Sequence, residues 1–209
     1  MEKHVYLYIC DTMADWEIGY LTAELNSGRY FRTGTAPHRI VTVGADLSPV
    51  KTMGGLKLTP DISVEECSAG GDHSAALILP GGDTWFEPVH EPILKKAEEF
   101  LNRGLIVGGI CGATAGLAGA GLLDSKPHTS NYPDFLKLCP DYHGDAHYCY
   151  EPAVDSEGLI TASGLAPLEF TMLILRALDV FKPEVLDAWY QLYLTKSENS
   201  FYRLMTSLA

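Results

Sequence analysis

The chain has 209 residues, 46% of them hydrophobic and 20% charged, a balance that supports one sizeable core and excludes a disordered or fibrous chain. Its 27 acidic residues against 15 lysines and arginines give a formal charge of −12, so its field repels phosphate backbones and anionic membranes, and neither nucleic acid nor membrane is expected as a partner. The five cysteines, Cys10, Cys67, Cys111, Cys139 and Cys149, are odd in number and scattered without CxxC or Cys/His spacing, which predicts reduced thiols in a cytoplasmic protein with no structural metal and no cofactor.

From the N-terminus, HVYLYIC (4–10) reads as a first strand, because its apolar run is too short for a signal-peptide core and an aspartate follows it. No later segment approaches the roughly 18 uncharged apolar residues that span a bilayer. Residues 15–28 place Ile18, Leu21 and Leu25 on one helical face, with Gly28 as the stop. HRIVTVG (38–44) is a second strand, and 50–60, with Gly54 and Gly55 between two β-prone runs, reads as a hairpin. SAALILPGGD (74–83) is a central strand ending in a glycine pair. Residues 91–104 form a helix, with Pro92 near its start and Gly104 just past its end.

LIVGGI (105–110) is the strand that delivers Cys111 to a glycine- and alanine-rich helix. Beyond it, KPHTSN (126–131) predicts a short strand and GLITASG (158–164) a longer one. Residues 165–181 predict a helix buried along Leu168, Met172, Leu175 and Leu178. The tail adds one or two amphipathic helices, whose Trp189, Tyr190, Tyr193 and Tyr202 suit core or dimer contacts. Strand-length runs alternating with helical ones point to a mainly parallel sheet covered on both faces. Without repeats or linkers, 1–209 reads as a single domain with a core at about 4–181 and a C-terminal helical extension at 182–209.

Three loops carry chemistry. Gly109-Ile110-Cys111-Gly112-Ala113 has the form G-x-C-x-A, close to a nucleophile elbow, where small residues permit a sharp strand-to-helix turn. A helix beginning at Gly112 would stabilise a thiolate at its positive end and lower the cysteine pKa; the plain alternative is an inert cysteine at a strand end. Gly81 and Gly82 in LPGGD can form an oxyanion nest, with Gly112 as a further donor, or a turn that merely needs glycine. Glu17, in ADWE after the first strand, belongs to the same carboxyl edge, although its spacing alone fits a solvated first-turn carboxylate. PDYHGDAHYCYEP (140–152) reads as a tyrosine-rich loop, with an active-site flap or weak metal site as alternatives. Glu169 fits helix-start chemistry.

The ordered set ADWE, ILPGGD, GGICGATAGLAGAGLL and DSEGLITASGLAPLEF resembles the ThiJ/PfpI family of the class I glutamine-amidotransferase-like superfamily, over residues 4 to about 181. The resemblance implies a flavodoxin-like three-layer α/β/α sandwich, usually dimeric, in which Cys111 at a nucleophile elbow pairs with Glu17. The departures are specific. Gly112 stands where protease-type members carry histidine. The TSN segment offers Ser130 or Asn131 where glyoxalase-like members carry histidine, leaving His128 just before it as the candidate base. The late His-x-Glu of the amidotransferases is missing from SGLAPLEFT.

The expectation is therefore a cysteine enzyme, hydrolase-, glyoxalase- or amidase-like, acting on a small-molecule carbonyl or amide electrophile as a homodimer. Proteolysis and glutamine transfer are disfavoured. A redox-responsive or chaperone-like protein using Cys111 oxidation is the alternative.

Overall fold

The computed structural model describes residues 1–208. In chain order the elements are β1 (Lys3–Tyr8), α1 (Gly19–Ser27), β2 (His38–Gly44), the short strands β3 (Val50–Lys51), β4 (Lys57–Leu58) and β5 (Ile62–Ser63), then β6 (Ser74–Leu79), α2 (Glu91–Asn102), β7 (Ile106–Ile110), α3 (Ala113–Gly119), α4 (Pro133–Leu136), β8 (Ala153–Ser156), β9 (Leu159–Ala162), α5 (Pro167–Ala177), α6 (Pro183–Thr195) and α7 (Glu198–Ser207). Seven strands form one sheet in the order β5-β2-β1-β6-β7-β9-β8. All its pairings are parallel except that of β8 with β9.

The inner strands are apolar on both faces, as strands covered by helices on both sides must be: Val5, Leu77, Ile78, Leu79, Val107 and Ile110 are all fully buried. Helices α1 and α5 cover one face and α2 and α3 the other, which gives the flavodoxin-like three-layer α/β/α sandwich. The chain winds outward from β1 through β2 and, in the other direction, through β6 and β7. The sheet's topological switch point therefore lies between β1 and β6, the place at the carboxyl edge where sheets of this kind collect their sites.

Several elements differ from the sequence expectation. The 50–60 hairpin forms, pairing Val50 with Leu58 and Lys51 with Lys57. Residues 126–131 form no strand; a single parallel bridge between His128 and Tyr148 stands there instead, because β9 already pairs with β8 on that side. On α5 the fully buried residues include Phe170, Ile174 and Leu175, whereas Leu168, Met172 and Leu178 are only half-buried. The reason lies in β7, where a Cβ on Gly108 would come within 2.8 Å of both Phe170 and Ile174. Glycine lets the helix settle on that edge of its apolar surface.

The C-terminal extension is two helices, α6 packed on α5 and α7 packed on α6. Trp189 is fully buried and donates through Nε1 to Glu24 Oε1 of α1 at 3.0 Å. Arg29 pairs with the same buried carboxylate. Among the described residues no helix is long and apolar enough to cross a membrane.

Candidate active site

Four loops meet at the carboxyl edge of β1, β6, β7 and β9. After β1 the chain turns through Asp15–Glu17, and the Ala14 N–H donates to Gly81 O at 3.0 Å, tying this loop to the end of β6. The tie carries Glu17 to full burial. Its Oε2 accepts from the Gly81 N–H at 2.6 Å, while its Oε1 has no hydrogen-bond partner. Burial pushes the Glu17 carboxyl up to about 7, against the opposing pull of the Gly81 amide and Cys111. Glu17 is thus no solvated helix-start carboxylate. It is an acid held near neutrality.

Cys111 follows β7 with a φ of +56°, the left-handed region that side chains other than glycine seldom adopt and that costs on the order of 1–3 kcal/mol. Its N–H donates to Ala162 O at 3.0 Å, and its carbonyl accepts from Thr114 Oγ1 at 2.6 Å. These bonds hold the elbow from both sides. The Cys111 side chain then faces two glycine-bearing loops. A Cβ on Gly81 would lie 2.7 Å from the Cys111 Cβ and 2.8 Å from Glu17 Oε1. One on Gly164 would lie 2.8 Å from Cys111 Sγ and 3.1 Å from Glu17 Oε1. Both positions must be glycine for Cys111 and Glu17 to meet.

Gly112 is explained in the same way. A Cβ there would stand 2.6 Å from Gly82 O and 3.0 Å from Trp85 Cδ1. The indole is fixed by its Nε1 donating to Pro80 O at 2.8 Å and by stacking on His90. The buried Trp85 fills the room that a side chain at 112 would occupy, so the protease-type histidine has no place in this chain. Of the three candidate oxyanion donors, Gly81 is engaged with Glu17, whereas the Gly82 and Gly112 amides donate to no backbone acceptor among the described residues.

The resting thiol is not the lowered one that the elbow suggests. Burial pushes Cys111 up to about 11, the Glu17 charge pushes the same way, and the Asn131 side chain and Gly112 amide pull against them. Helix α3 begins at Ala113 and runs only seven residues, so its dipole is weak beside that desolvation.

His128 lies apart from the sulfur. It is fully buried, with Nδ1 bonded to Lys126 O at 2.7 Å and Nε2 to the Tyr142 hydroxyl at 2.7 Å. Among the described residues no histidine hydrogen-bonds Cys111. Asn131, three residues on, occupies the position instead: its Nδ2 donates to Cys111 Sγ at 3.4 Å, and its Oδ1 accepts from the Gly164 N–H at 2.9 Å. Trp16 Nε1 donates to Gly164 O at 3.2 Å, so the loop after β9 is clamped from both sides. Gly164 is the site residue that the motifs did not single out. The signal was there in SGLAP, a glycine at a strand end on the same edge as LPGGD. Among the described residues no three histidine, cysteine or acidic side chains are grouped to hold a metal ion.

The chain is similar to known proteins over nearly its whole length. The Bacillus subtilis (strain 168) protein named uncharacterized protease YoaZ is 49% identical over 207 residues, spanning 99% of this chain and 98% of that protein. The protein of the same organism named uncharacterized protease YdeA is 33% identical, spanning 88% and 87%. Among solved structures, a thiJ/pfpI family protein from Bacillus anthracis is 48% identical with a TM-score of 0.94, covering 99% of this chain and 97% of that one. The DJ-1 superfamily protein Atu0886 from Agrobacterium tumefaciens is 34% identical with a TM-score of 0.81, covering 93% and 98%. Residues 3–177 match the DJ-1/PfpI family, and this chain belongs to it.

Proposed function

We propose that the protein is a cysteine enzyme that adds the Cys111 thiol to a small carbonyl or amide carbon, with Glu17 as the acid–base group. The observation that supports this reading is the fully buried Glu17, whose burial pushes its carboxyl up to about 7, set beside a cysteine held in a strained elbow. A general base works best with a pKa near the operating pH. Above about pH 7 the ionised Glu17 accepts the thiol proton as sulfur bonds to the electrophilic carbon, and the carbonyl π pair moves onto oxygen. The Gly82 and Gly112 amides receive that oxyanion. Glu17 then delivers the same proton to it, giving a hemithioacetal from an aldehyde or a tetrahedral adduct from an amide.

The relatives named as proteases suggest peptide hydrolysis, but the imidazole that would protonate a leaving amine is not at the sulfur here. Small aldehydes, whose thiol adducts expel no amine, fit better, with amides the more demanding case. The test is turnover of a panel of 2-oxoaldehydes and short acyl amides by wild type, Cys111→Ser and Glu17→Gln between pH 5 and 9. Activity should rise through about pH 7 in the wild type, lose that limb in Glu17→Gln and vanish in Cys111→Ser. Turnover that survives Cys111→Ser refutes the reading.

A second reading rests on Glu17 Oε1, buried beside the sulfur without a partner. Protonated, it can donate to an oxygen added to Cys111, favouring a sulfinate as a redox signal. Mild peroxide should then place two oxygens on Cys111 while the other four thiols stay reduced; indiscriminate oxidation of all five counts against it.

A further inference from the structure

A recess of about 320 Å³ is lined by Asn131, whose side chain also donates to Cys111 Sγ, and by Tyr132, Tyr148, Tyr150, Glu151 and Ser163 among others. Tyr132 is 66% and Tyr150 86% exposed. The rings of Tyr148 and Tyr150 stand 5.2 Å apart at 71°, two walls of a corner rather than a stack. The corner is held in place: Tyr148 donates its hydroxyl to Ser130 O at 3.3 Å, and the Cys149 N–H donates to His128 O at 2.7 Å. The buried His128, which makes no hydrogen bond to Cys111, anchors this wall.

The electrostatics select the ligand. No lysine or arginine lines the recess among the described residues. The nearby Lys137 is paired with Asp134 at 3.0 Å. Glu151 is an exposed acid among the lining residues, and its backbone carbonyl accepts from Thr129 Oγ1 at 2.8 Å. A carboxylate or phosphate would find no counter-charge here. A cation would find three tyrosine rings, an acidic residue and the field of a chain with net charge −12. An alkylated ammonium suits such walls best, because it carries charge without the tight hydration of a primary ammonium and its methyl groups pack on rings.

We infer that the tyrosine corner binds an alkylated ammonium group, and that Asn131, shared by recess and sulfur, places the rest of the same molecule beside Cys111. The substrate class is then a small aldehyde or amide bearing a trialkylammonium group a short chain away. The cage itself rests on the tyrosines and Glu151. Its link to turnover rests on the nucleophile reading above.

Choline and its uncharged tert-butyl isostere, titrated by NMR against wild type, Tyr150→Ala and Glu151→Gln, test the cage. The link to Cys111 is tested by iodoacetamide alkylation with and without choline, with peptide mapping that separates Cys111 from the neighbouring Cys149. Choline should bind about fivefold or more tightly than the isostere. That preference should be lost in Tyr150→Ala and weakened in Glu151→Gln, and saturating choline should slow Cys111 alkylation. Equal binding of the two ligands, or no saturable change with choline, overturns the inference. A choline preference beside an unreactive Cys111 upholds the cage and refutes the enzyme reading, whereas a reactive Cys111 without that preference does the reverse.

Discussion

Replacing Glu17 with glutamine should make the protein more stable at neutral and alkaline pH, while removing the group on which the proposed chemistry depends. Its carboxyl is raised from 4.5 in an ordinary environment to about 7 in the fold, chiefly by burial. Between those values the folded chain holds a proton that the unfolded chain releases, so stability falls as pH rises through this window. Each tenfold gain in proton affinity is worth about 1.4 kcal/mol, so the full penalty above pH 7 is about 3 kcal/mol. It shrinks to below about 1 kcal/mol at pH 5 and vanishes under pH 4.5. Glutamine has nearly the same shape, keeps an acceptor for the Gly81 amide and carries no charge to desolvate. In urea or thermal melts at pH 8, Glu17→Gln should therefore gain about 3 kcal/mol, or roughly 6–12 °C in Tm for a chain of this size. At pH 5 most of the gain should disappear. A stability difference from wild type that is the same at pH 8 and pH 5 would show that Glu17 does not stand as a desolvated acid and would remove the basis for its role at Cys111, since any cost of burying the glutamine NH2 in the place of the unpartnered Oε1 is the same at both pH values.

Gly164→Ala should cut Cys111 alkylation by about tenfold or more, at a stability cost of about 1–3 kcal/mol, because the added methyl would meet the sulfur at 2.8 Å; unchanged alkylation with retained folding would refute the close approach of this loop. Trp189→Phe removes a fully buried indole and the donor it supplies to Glu24, and should cost about 2–4 kcal/mol while exposing α6 and α7 to limited proteolysis; a smaller loss would mean that the tail is only loosely tied to α1. His128→Leu leaves the Tyr142 hydroxyl without its partner and should cost about 1–3 kcal/mol with no change in Cys111 alkylation per folded molecule. Slower alkylation at unchanged stability would return His128 to the chemistry.

The alternation of apolar strands with helical stretches, the glycines after β6 and around β7, and the order of the motifs made the sheet and the positions of Cys111 and Glu17 legible from sequence. What stayed hidden depended on contacts between distant segments. Strand β8 carries the mixed run AVDS and exists because it adds to an edge already formed by β9. Residues 126–131 look strand-like, but that edge was taken. The buried face of α5 depended on a glycine far earlier in the chain, at Gly108, that shows where the helix can approach. The burial of Glu17 could not be read from spacing, which fits a surface carboxylate equally well; it requires Ala14 to bond Gly81 across the sheet edge. The thiol reading failed for a related reason, since a helix N-terminus is visible in sequence and the desolvation that outweighs it is not.

The same distant contacts explain why an unfavourable arrangement persists. A cysteine at φ +56°, a carboxylate without a partner for one oxygen and backbone segments pressed together at Gly81, Gly112 and Gly164 are each costly alone. They are gathered at the carboxyl ends of β1, β6, β7 and β9, where the strands beneath are buried on both faces and cannot yield without opening the core. Relaxing Cys111 to an ordinary conformation would break its bond to Ala162, and moving Glu17 outward would break the Ala14 tie to Gly81. The fold thus sets its least stable groups on its most rigid elements. That placement keeps a thiol and a near-neutral acid together without a histidine to mediate between them, and it concentrates the gain expected from Glu17→Gln at the site rather than in the sheet that supports it.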